Sequence, residues 1–288
     1  MAESLQADRT GTLYVVATPI GNLADISARA IEVLGAVDRI VAEDTRHSRK
    51  LLQHYALQTP MTALHEHNER ELAPQLVEQL LQGASLAVIS DAGTPLISDP
   101  GYTLVRLARA AGVRVIPVPG PSALTCALSG SGLPTDRFVF EGFLPAKRTA
   151  RRHRLQQLAG ESRTLVFYES SHRILAALQD MQAAFGAGRR AVIARELTKQ
   201  FETIRGDTLA ALRQWVAADP DQQKGEFVVL VQGVEAPEGD TVTADAEQLL
   251  RWLLEELPIK KAAKLAARIT GINKRTLYDR ALQLKQPD

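Results

Sequence analysis

Leu86–Gly101 reads LAVISDAGTPLISDPG. Its first four residues, Leu86–Ile89, form an apolar run without polar alternation that leads into Ser90, the pattern of a strand buried on both faces. The segment Asp91–Gly101 is rich in glycine, proline and small polar residues, and predicts a long loop at the carboxyl end of that strand. Working outward, four more short runs in the first 130 residues have the same form: Thr12–Ala17 (TLYVVA), Arg39–Glu43 (RIVAE), Met61–His65 (MTALH) and Val113–Val118 (VRVIPV). Stretches between them, such as Ile26–Val37 and Leu72–Gln82, place apolar residues at helical spacing. Strand–helix–strand alternation predicts a parallel sheet covered by helices.

A second series follows. Arg137–Leu144, Thr164–Tyr168, Ala191–Arg195, Glu202–Arg205 and Glu226–Gln232 read as strands, and Ala150–Ala159, Ile174–Phe185 and Leu209–Val216 as helices. The short gap at Leu197–Phe201 predicts a hairpin-like element and so a mixed sheet. Gly130–Pro134 (GSGLP) breaks both periods and marks the joint between the two halves. Past Gly233, VEAPEGDTVT has no period and reads as a linker. Ala244–Leu284 is helical in pattern, interrupted at Pro258 and Gly271. The expected organisation is α/β: an N-terminal domain over 11–130, a second α/β domain with a mixed sheet over 131–235, and a basic helix-turn-helix-like module over 243–288.

The chain has 288 residues, 45% hydrophobic and 23% charged, which excludes a disordered or fibrous protein. Its 34 Lys and Arg nearly balance 33 Asp and Glu, so net charge says nothing about a partner. The single cysteine, Cys126, excludes an intrachain disulfide and a cysteine-based zinc site. MAESLQADRTG lacks the basic-then-apolar form of a signal peptide, and no run approaches the roughly 18 apolar residues of a membrane span. A soluble cytoplasmic protein without membrane partners is expected.

Ligands of open α/β sheets bind outside the carboxyl ends of the strands. Here those ends are Thr18–Leu23, Glu43–Arg46, His65–Glu69, Ser90–Gly101 and Pro117–Ala123. Each alone is ordinary turn and cap material; five along one edge point to a small-molecule site. TPIGNL after the first strand is not G-x-G-x-x-G, and neither G-x-x-x-x-G-K-[ST] nor G-x-S-x-G occurs, which argues against dinucleotide, P-loop and α/β-hydrolase sites. His65 and His67 share one side of a strand without a third ligand. No metal is expected, and the pair reads as polar lining on the substrate side.

TPIGNL (18–23), SDAGTPLISDPG (90–101) and PVPGPSA (117–123), in that order, resemble the class III, tetrapyrrole-methylase-type methyltransferases that use S-adenosylmethionine. EDTRHS at Glu43–Ser48, FYESSHR at Phe167–Arg173, ARELTKQFE at Ala194–Glu202 and KGEFVVLV at Lys224–Val231 narrow the resemblance. The branch they resemble methylates a cytidine ribose 2′-oxygen of 16S ribosomal RNA near the decoding centre. The likeness runs from Gly11 to Val231, and the helical module fits it. It implies two α/β domains of the tetrapyrrole methylase type with the cofactor between them, and a homodimer. Carried onto this chain, the cofactor-binding positions are Pro19, Asp91, Gly93, Thr94, Ser122, Ala123, Tyr168 and Leu197. Gly93 permits close backbone approach, and Asp91 offers an acceptor to the cationic amino-acid end or the ribose. Ser122 either caps a helix or bonds the ligand. Tyr168 either packs against adenine or fills core.

A methyl on sulfonium is already activated, so alignment of the acceptor oxygen dominates. A base or a nearby cation raises the nucleophilicity of a ribose hydroxyl. Candidates are Lys199, Glu196, Asp44 and Glu226, with Glu43 and Arg46 beside them; the sequence does not choose. Lys199 serves as a base if burial beside Arg195 lowers its pKa, and is otherwise a solvated charge.

Two cationic concentrations offer an RNA surface. Lys147–Arg154 (KRTARRHR) holds five Lys and Arg and no acid. Pro258–Lys285 holds eight against Asp279, a local +7 that leaves −6 for the rest. Its pattern places Ala263, Ala266 and Ala267 on one helix, a Gly271 turn, and Leu277, Tyr278 and Leu282 inward on the next. RNA-contact candidates are Arg46, Lys147, Arg148, Arg151, Arg152, Lys260, Lys261, Lys274 and Arg275, for 16S ribosomal RNA or the small ribosomal subunit. Two other readings are a methyltransferase of a tetrapyrrole or corrinoid precursor, which leaves the tail idle, and a nucleic-acid-binding regulator on an inactive fold.

Overall fold

In the computed structural model Leu86–Ile89 is a strand buried at every residue, at the centre of a five-stranded sheet. The structure describes residues 10–234, 242 and 244–285, and the chain divides into two compact units between Gln232 and Gly233. The segment before Thr10 and most of the VEAPEGDTVT stretch lie outside the described residues. Strands β1 (Thr12–Val16), β2 (Arg39–Ala42), β3 (Met61–Ala63), β4 (Leu86–Ile89) and β5 (Arg114–Val118) are all parallel, in the order β3-β2-β4-β1-β5.

Pairing of Leu13 with Leu86, and of Ile40 with Ala87, sets the register. It puts Leu13, Val41, Leu86 and Val88 on one face and Val16, Ile40, Ala87 and Ile89 on the other, each in its own core. Helices α1 (Ala28–Ala36) and α2 (Thr45–His54) cover the second face, and α3 (Glu69–Leu81) and α4 (Tyr102–Ala110) the first. Burial on both sides is why these strands lack alternation. Because all five run the same way, their carboxyl ends share one edge.

The second sheet contains β6 (Phe138–Phe143), β7 (Thr164–Ser170), β8 (Arg190–Arg195), β9 (Thr203–Thr208) and β10 (Glu226–Val231), in the order β6-β7-β10-β8-β9. Only β6 and β7 pair in parallel, so the sheet is mixed, and β8 and β9 form the hairpin. Edge strand β9 runs further than Glu202–Arg205 because TIRGDT is largely solvent-facing and carries little apolar signal. Helices α6 (Arg148–Gln157), α7 (Ile174–Phe185) and α8 (Leu209–Ala218) pack on one face. The other face takes α5 (Ala123–Ser131), whose Ala127 and Leu128 meet Val166, Val192, Val228 and Leu230. Thus α5 leaves the first sheet in sequence but seats on the second. Gly130 does not break the chain; it lies within α5, which ends at Gly132 in the left-handed conformation (φ 69°).

The basic segment Lys147–Arg154 holds a correction. Arg151 is not a surface cation: it is 4% exposed and its guanidinium grips Asp180 of α7 through Nη2 and Nε at 2.7 and 2.9 Å. Position 151 lies one turn before buried Leu155, on the face α6 turns to its neighbour. Composition could not say which of the arginines would face inward.

The second unit has α9 (Ala244–Glu256), α10 (Ile259–Thr270) and α11 (Lys274–Lys285). Its core joins Leu250 and Leu254 with Ala262, Ala263, Ala266, Leu277 and Ala281. Alanines on α10 let the helices approach closely, and Gly271 (φ 74°) ends α10. Ala267 and Tyr278 are partly buried against this core. Leu282, expected inward, is 40% exposed. The helical period continues the Leu277 stripe at Ala281 instead. No helix among the described residues is long and apolar enough to cross a membrane.

Breaking the Arg151–Asp180 pair from one side strands a buried charge. Asp180→Ala is therefore expected to lower stability by about 3–5 kcal/mol in urea unfolding. A change within about 0.5 kcal/mol, the usual range for surface sites, would contradict the buried pair.

Candidate active site

The five loops at the edge of the parallel sheet are tied to one another by hydrogen bonds. Thr18 N–H donates to Gly93 O (2.8 Å) and Gly93 N–H donates to Thr18 O (3.0 Å), joining the loops after β1 and β4. Thr18 Oγ1 donates to Ser90 O, and Thr94 Oγ1 to Pro121 O at 3.0 Å, which adds the loop after β5. Asp44 N–H donates to Asp91 Oδ1 at 3.1 Å, adding the loop after β2. The remaining loop, after β3, supplies Glu69. Its Oε1 accepts from Gly101, Thr103 and Leu104 N–H, capping α4, whose N-cap residue Gly101 has no side chain to do so.

A cavity of about 430 Å³ lies between these loops and the ends of β7, β8 and β10, a size typical of small-molecule sites. Asp91, Gly93, Thr94, Ser122, Ala123, Tyr168 and Leu197 all line it, whereas Pro19 does not; its neighbour Ile20 does. Gly93 has φ 85°, and a Cβ there would stand 3.3 Å from Ile20 Cγ2, so side chains are poorly tolerated at that wall. Ser122 is the N-cap residue of α5 but makes no side-chain cap bond. Tyr168 belongs to the apolar cluster beneath α5 and also faces the cavity, its ring edge-on to Phe140 and Phe143. Burial pushes its phenol upward, against hydrogen bonds involving the Leu124 backbone and Ser122. Neither the packing nor the cavity role of Tyr168 displaces the other.

One wall is acidic. Glu43, Asp91 and Asp99 line it together. Burial raises Asp99 to about 6, reinforced by the Glu43 and Asp91 charges and opposed by a Ser90 hydrogen bond. Burial also raises Glu43, with the Asp91 backbone opposing and neighbouring carboxylates adding. Asp99 was not singled out in the sequence because Asp-Pro-Gly reads as a turn. Its signal was membership in the long loop. Leu96 and Ser98, just before it, have φ of 72° and 70°, a conformation non-glycine residues rarely hold.

Lys199, Glu196 and Glu226 form one cluster on the opposite wall. Lys199 Nζ lies 2.8 Å from Glu196 Oε1 and 2.7 Å from Glu226 Oε2, and Glu226 N–H donates to Glu196 Oε1. Lys199 and Glu226 line the cavity; Glu196 holds Lys199 from behind. The Lys199 stem crosses Gly21 so closely that a Cβ there would fall 2.4 Å from its Cγ. A Cβ on Gly225 would collide with Glu196 in the same way.

The condition under which Lys199 would serve as a base, a lowering by burial beside Arg195, is not met. Burial does act to lower it, but the Glu196 and Glu226 carboxylates prevail, and the ammonium is held above its ordinary value. Arg195 points elsewhere, donating to the carbonyls of Asp221, Lys224 and Phe201. Burial would raise Glu196 too, but Lys199 and the Glu226 backbone outweigh it and leave it lowered. Lys199 is therefore a cation, not a base.

Other candidates fall outside the cavity lining. Asp44 is the N-cap of α2, its Oδ1 accepting from Arg46 N–H at 2.7 Å. Arg46 is exposed on the first turn of that helix. Lys147 and Arg152 are exposed around the start of α6, and Arg148 reaches Asp180 from the surface. Lys260, Lys261, Lys274 and Arg275 are exposed on the second unit. His65 and His67, expected on the substrate side, stand ring to ring at 5.9 Å and do not line the cavity.

Because Asp99 prefers its proton in the folded state, the stability it contributes is present below about 3.8 and lost as the pH rises through about 6. Asp99→Asn removes that loss. Its melting temperature is expected to gain on the wild type as the pH climbs from about 4 to about 7. A difference independent of pH would contradict the raised carboxyl.

The chain matches known proteins along most of its length. The family model described as Tetrapyrrole (Corrin/Porphyrin) Methylases matches residues 12–213, and that of the RsmI C-terminal HTH domain matches residues 240–285. A Pseudomonas aeruginosa protein named Ribosomal RNA small subunit methyltransferase I is 60% identical over 274 residues, 95% of this chain and 97% of that one. The Escherichia coli O157:H7 protein of the same name is 54% identical over 284 residues, 98% and 99% of the two chains. Among solved structures, a diphthine synthase has a TM-score of 0.58 at 16% identity, over 77% of this chain and 90% of its own. The methyltransferase CobJ has a TM-score of 0.58 at 20% identity, over 78% and 95%. At those identities the structures show a shared fold. With a family model over residues 12–213 and relatives more than half identical over nearly the whole chain, the chain belongs to the tetrapyrrole (corrin/porphyrin) methylase family of methyltransferases.

Proposed function

We propose that the chain transfers a methyl group from S-adenosylmethionine to the ribose 2′-oxygen of a cytidine in 16S ribosomal RNA, near the decoding centre. The observation that carries the donor assignment is the cavity's polarity. Carboxylates of Asp91 and Asp99 line one wall, and apolar Ile20, Leu197 and Val228 line others. That combination suits a ligand with a cationic amino-acid end and a flat, largely apolar base. Gly93 admits close backbone approach, Ser122 lines the cavity at the start of α5 without capping that helix, and Tyr168 offers an aromatic ring. These residues fit the donor. When bound, it supplies a methyl already activated by a positively charged sulfur.

The chain's own residues then have three tasks. Asp91, fixed by the Asp44 N–H, orients the cationic end. Lys199, kept protonated by two carboxylates, sits where it can stabilise negative charge developing on the ribose oxygen. The hydroxyl proton leaves through Glu226, whose side chain is 76% exposed and opens to water. Asp44 acts as a helix cap that carries Asp91, not as a base.

The nucleic-acid substrate is supported by the printed name of relatives at 54–60% identity over nearly the whole chain, and by the cationic second unit. A tetrapyrrole substrate would leave that unit without a role. The proposal includes the small ribosomal subunit as partner, a homodimer, and a cytoplasmic setting.

The deciding experiment offers methyl-labelled S-adenosylmethionine with small ribosomal subunits or with tetrapyrrole precursors. Label is expected in 2′-O-methylcytidine on nuclease digestion; label on a macrocycle, or on a base carbon, overturns the reading. Within it, Asp91→Asn is expected to weaken donor binding about 10–100-fold by calorimetry, the worth of a charged hydrogen bond. Lys199→Met is expected to lower kcat about 100-fold or more while leaving donor affinity near wild type. An unchanged kcat would remove Lys199 from the mechanism.

A further inference from the structure

The second unit carries a face that the description so far leaves without a use. On α10, the residues Lys260, Lys261, Lys264, Leu265, Arg268 and Ile269 are all exposed, while Ala262, Ala263 and Ala266 are buried. Positions 261, 264, 265 and 268 fall on one stripe of the helix. α10 contains no acid, and none of its four cations has an ion pair among the described residues. Leu265 and Ile269 stand one turn apart within this charge, Ile269 at 60% exposure.

The neighbouring helices differ. On α11, Lys274, Arg275 and Lys285 are exposed without an ion pair among the described residues, but they share that surface with Asp279, Arg280 is held by Glu247 of α9 at 2.6 Å, and Leu277 and Ala281 are core. On α9, Arg251 is taken by the same Glu247, and Glu255 and Glu256 are exposed. The unit is thus polarised, acidic along α9 and cationic along α10.

We propose that this face of α10, rather than the second helix of the helix-turn-helix, is the surface that docks RNA. The inference rests on the ribosomal RNA reading above and deepens it. Free cations spaced along about 12 Å of helix (eight residues at 1.5 Å) match a phosphate backbone. Leu265 and Ile269 between them supply apolar contact for sugars or unstacked bases. A lipid surface fits less well, because a membrane-lying helix needs a broad apolar face and that face of α10 is spent on the unit's own core.

The test titrates full-length protein against fluorescently labelled 16S ribosomal RNA between about 50 and about 200 mM salt. A variant with Lys260→Gln, Lys261→Gln, Lys264→Gln and Arg268→Gln is expected to flatten the log–log salt slope by about 3, with a large loss of affinity at low salt. Lys274→Gln with Arg275→Gln, on α11, is expected to flatten it by less than half as much. Leu265→Ser with Ile269→Ser is expected to weaken binding at an unchanged slope. Far-ultraviolet circular dichroism and the melting transition, read on each variant, report that the second unit stays folded. A wild-type slope in the fourfold variant, or a larger effect from the α11 pair, overturns the assignment to α10 alone. Binding of the wild type to phosphatidylserine vesicles but not to RNA overturns both it and the substrate reading.

Discussion

Two backbone hydrogen bonds between Thr18 and Gly93 organise the site. They fold the long loop after β4 back over the end of β1, and everything functional on the first sheet follows from that clasp. Each bond is worth only about 0.5–1.5 kcal/mol net. The clasp is nonetheless reinforced from both sides, by Thr94 to Pro121 and by Asp91 to the Asp44 backbone. Leu96 and Ser98, both in the left-handed region, belong to the same loop. The result is a preformed rim, not a loose set of turns.

Beside that rim the second sheet places a single cation, Lys199, between two carboxylates. Burial raises the proton affinities of Glu43 and Asp99 on one wall, and the neighbouring carboxylates, Asp91 among them, add to it. Lys199 faces the cavity from the other sheet, with its charge fixed by Glu196 and Glu226. The strained backbone at Glu196 (φ 52°) and Thr198 (φ 65°) turns the chain sharply enough to aim Lys199 across Gly21. Strain thus collects on both sides of the cavity, and it positions charge on each.

How much of this was legible depended on the range of the interactions involved. The parallel sheet was readable because burial on both faces writes itself into continuous apolar runs such as Leu86–Ile89. The loop positions were readable because glycine and proline mark strand ends directly. α2 was harder: TRHSRKLLQH buries only Ser48, Leu51 and Leu52, too thin a stripe to show. The charge state of Lys199 was not legible, since one of its two partners, Glu226, is 27 residues away and meets it only after β10 pairs with β8. Arg151 and Leu282 failed for a shared reason. Composition identifies a cationic or an apolar segment, but only helix phase against a neighbour decides which residue turns inward.

A crystal of the protein grown or soaked with S-adenosylmethionine addresses the central claim most directly. The account expects density for the donor inside the cavity, its amino-acid end within hydrogen-bond reach of Asp91 and its base against Leu197 and Val228. Density on another surface, with the cavity left to solvent, would contradict it.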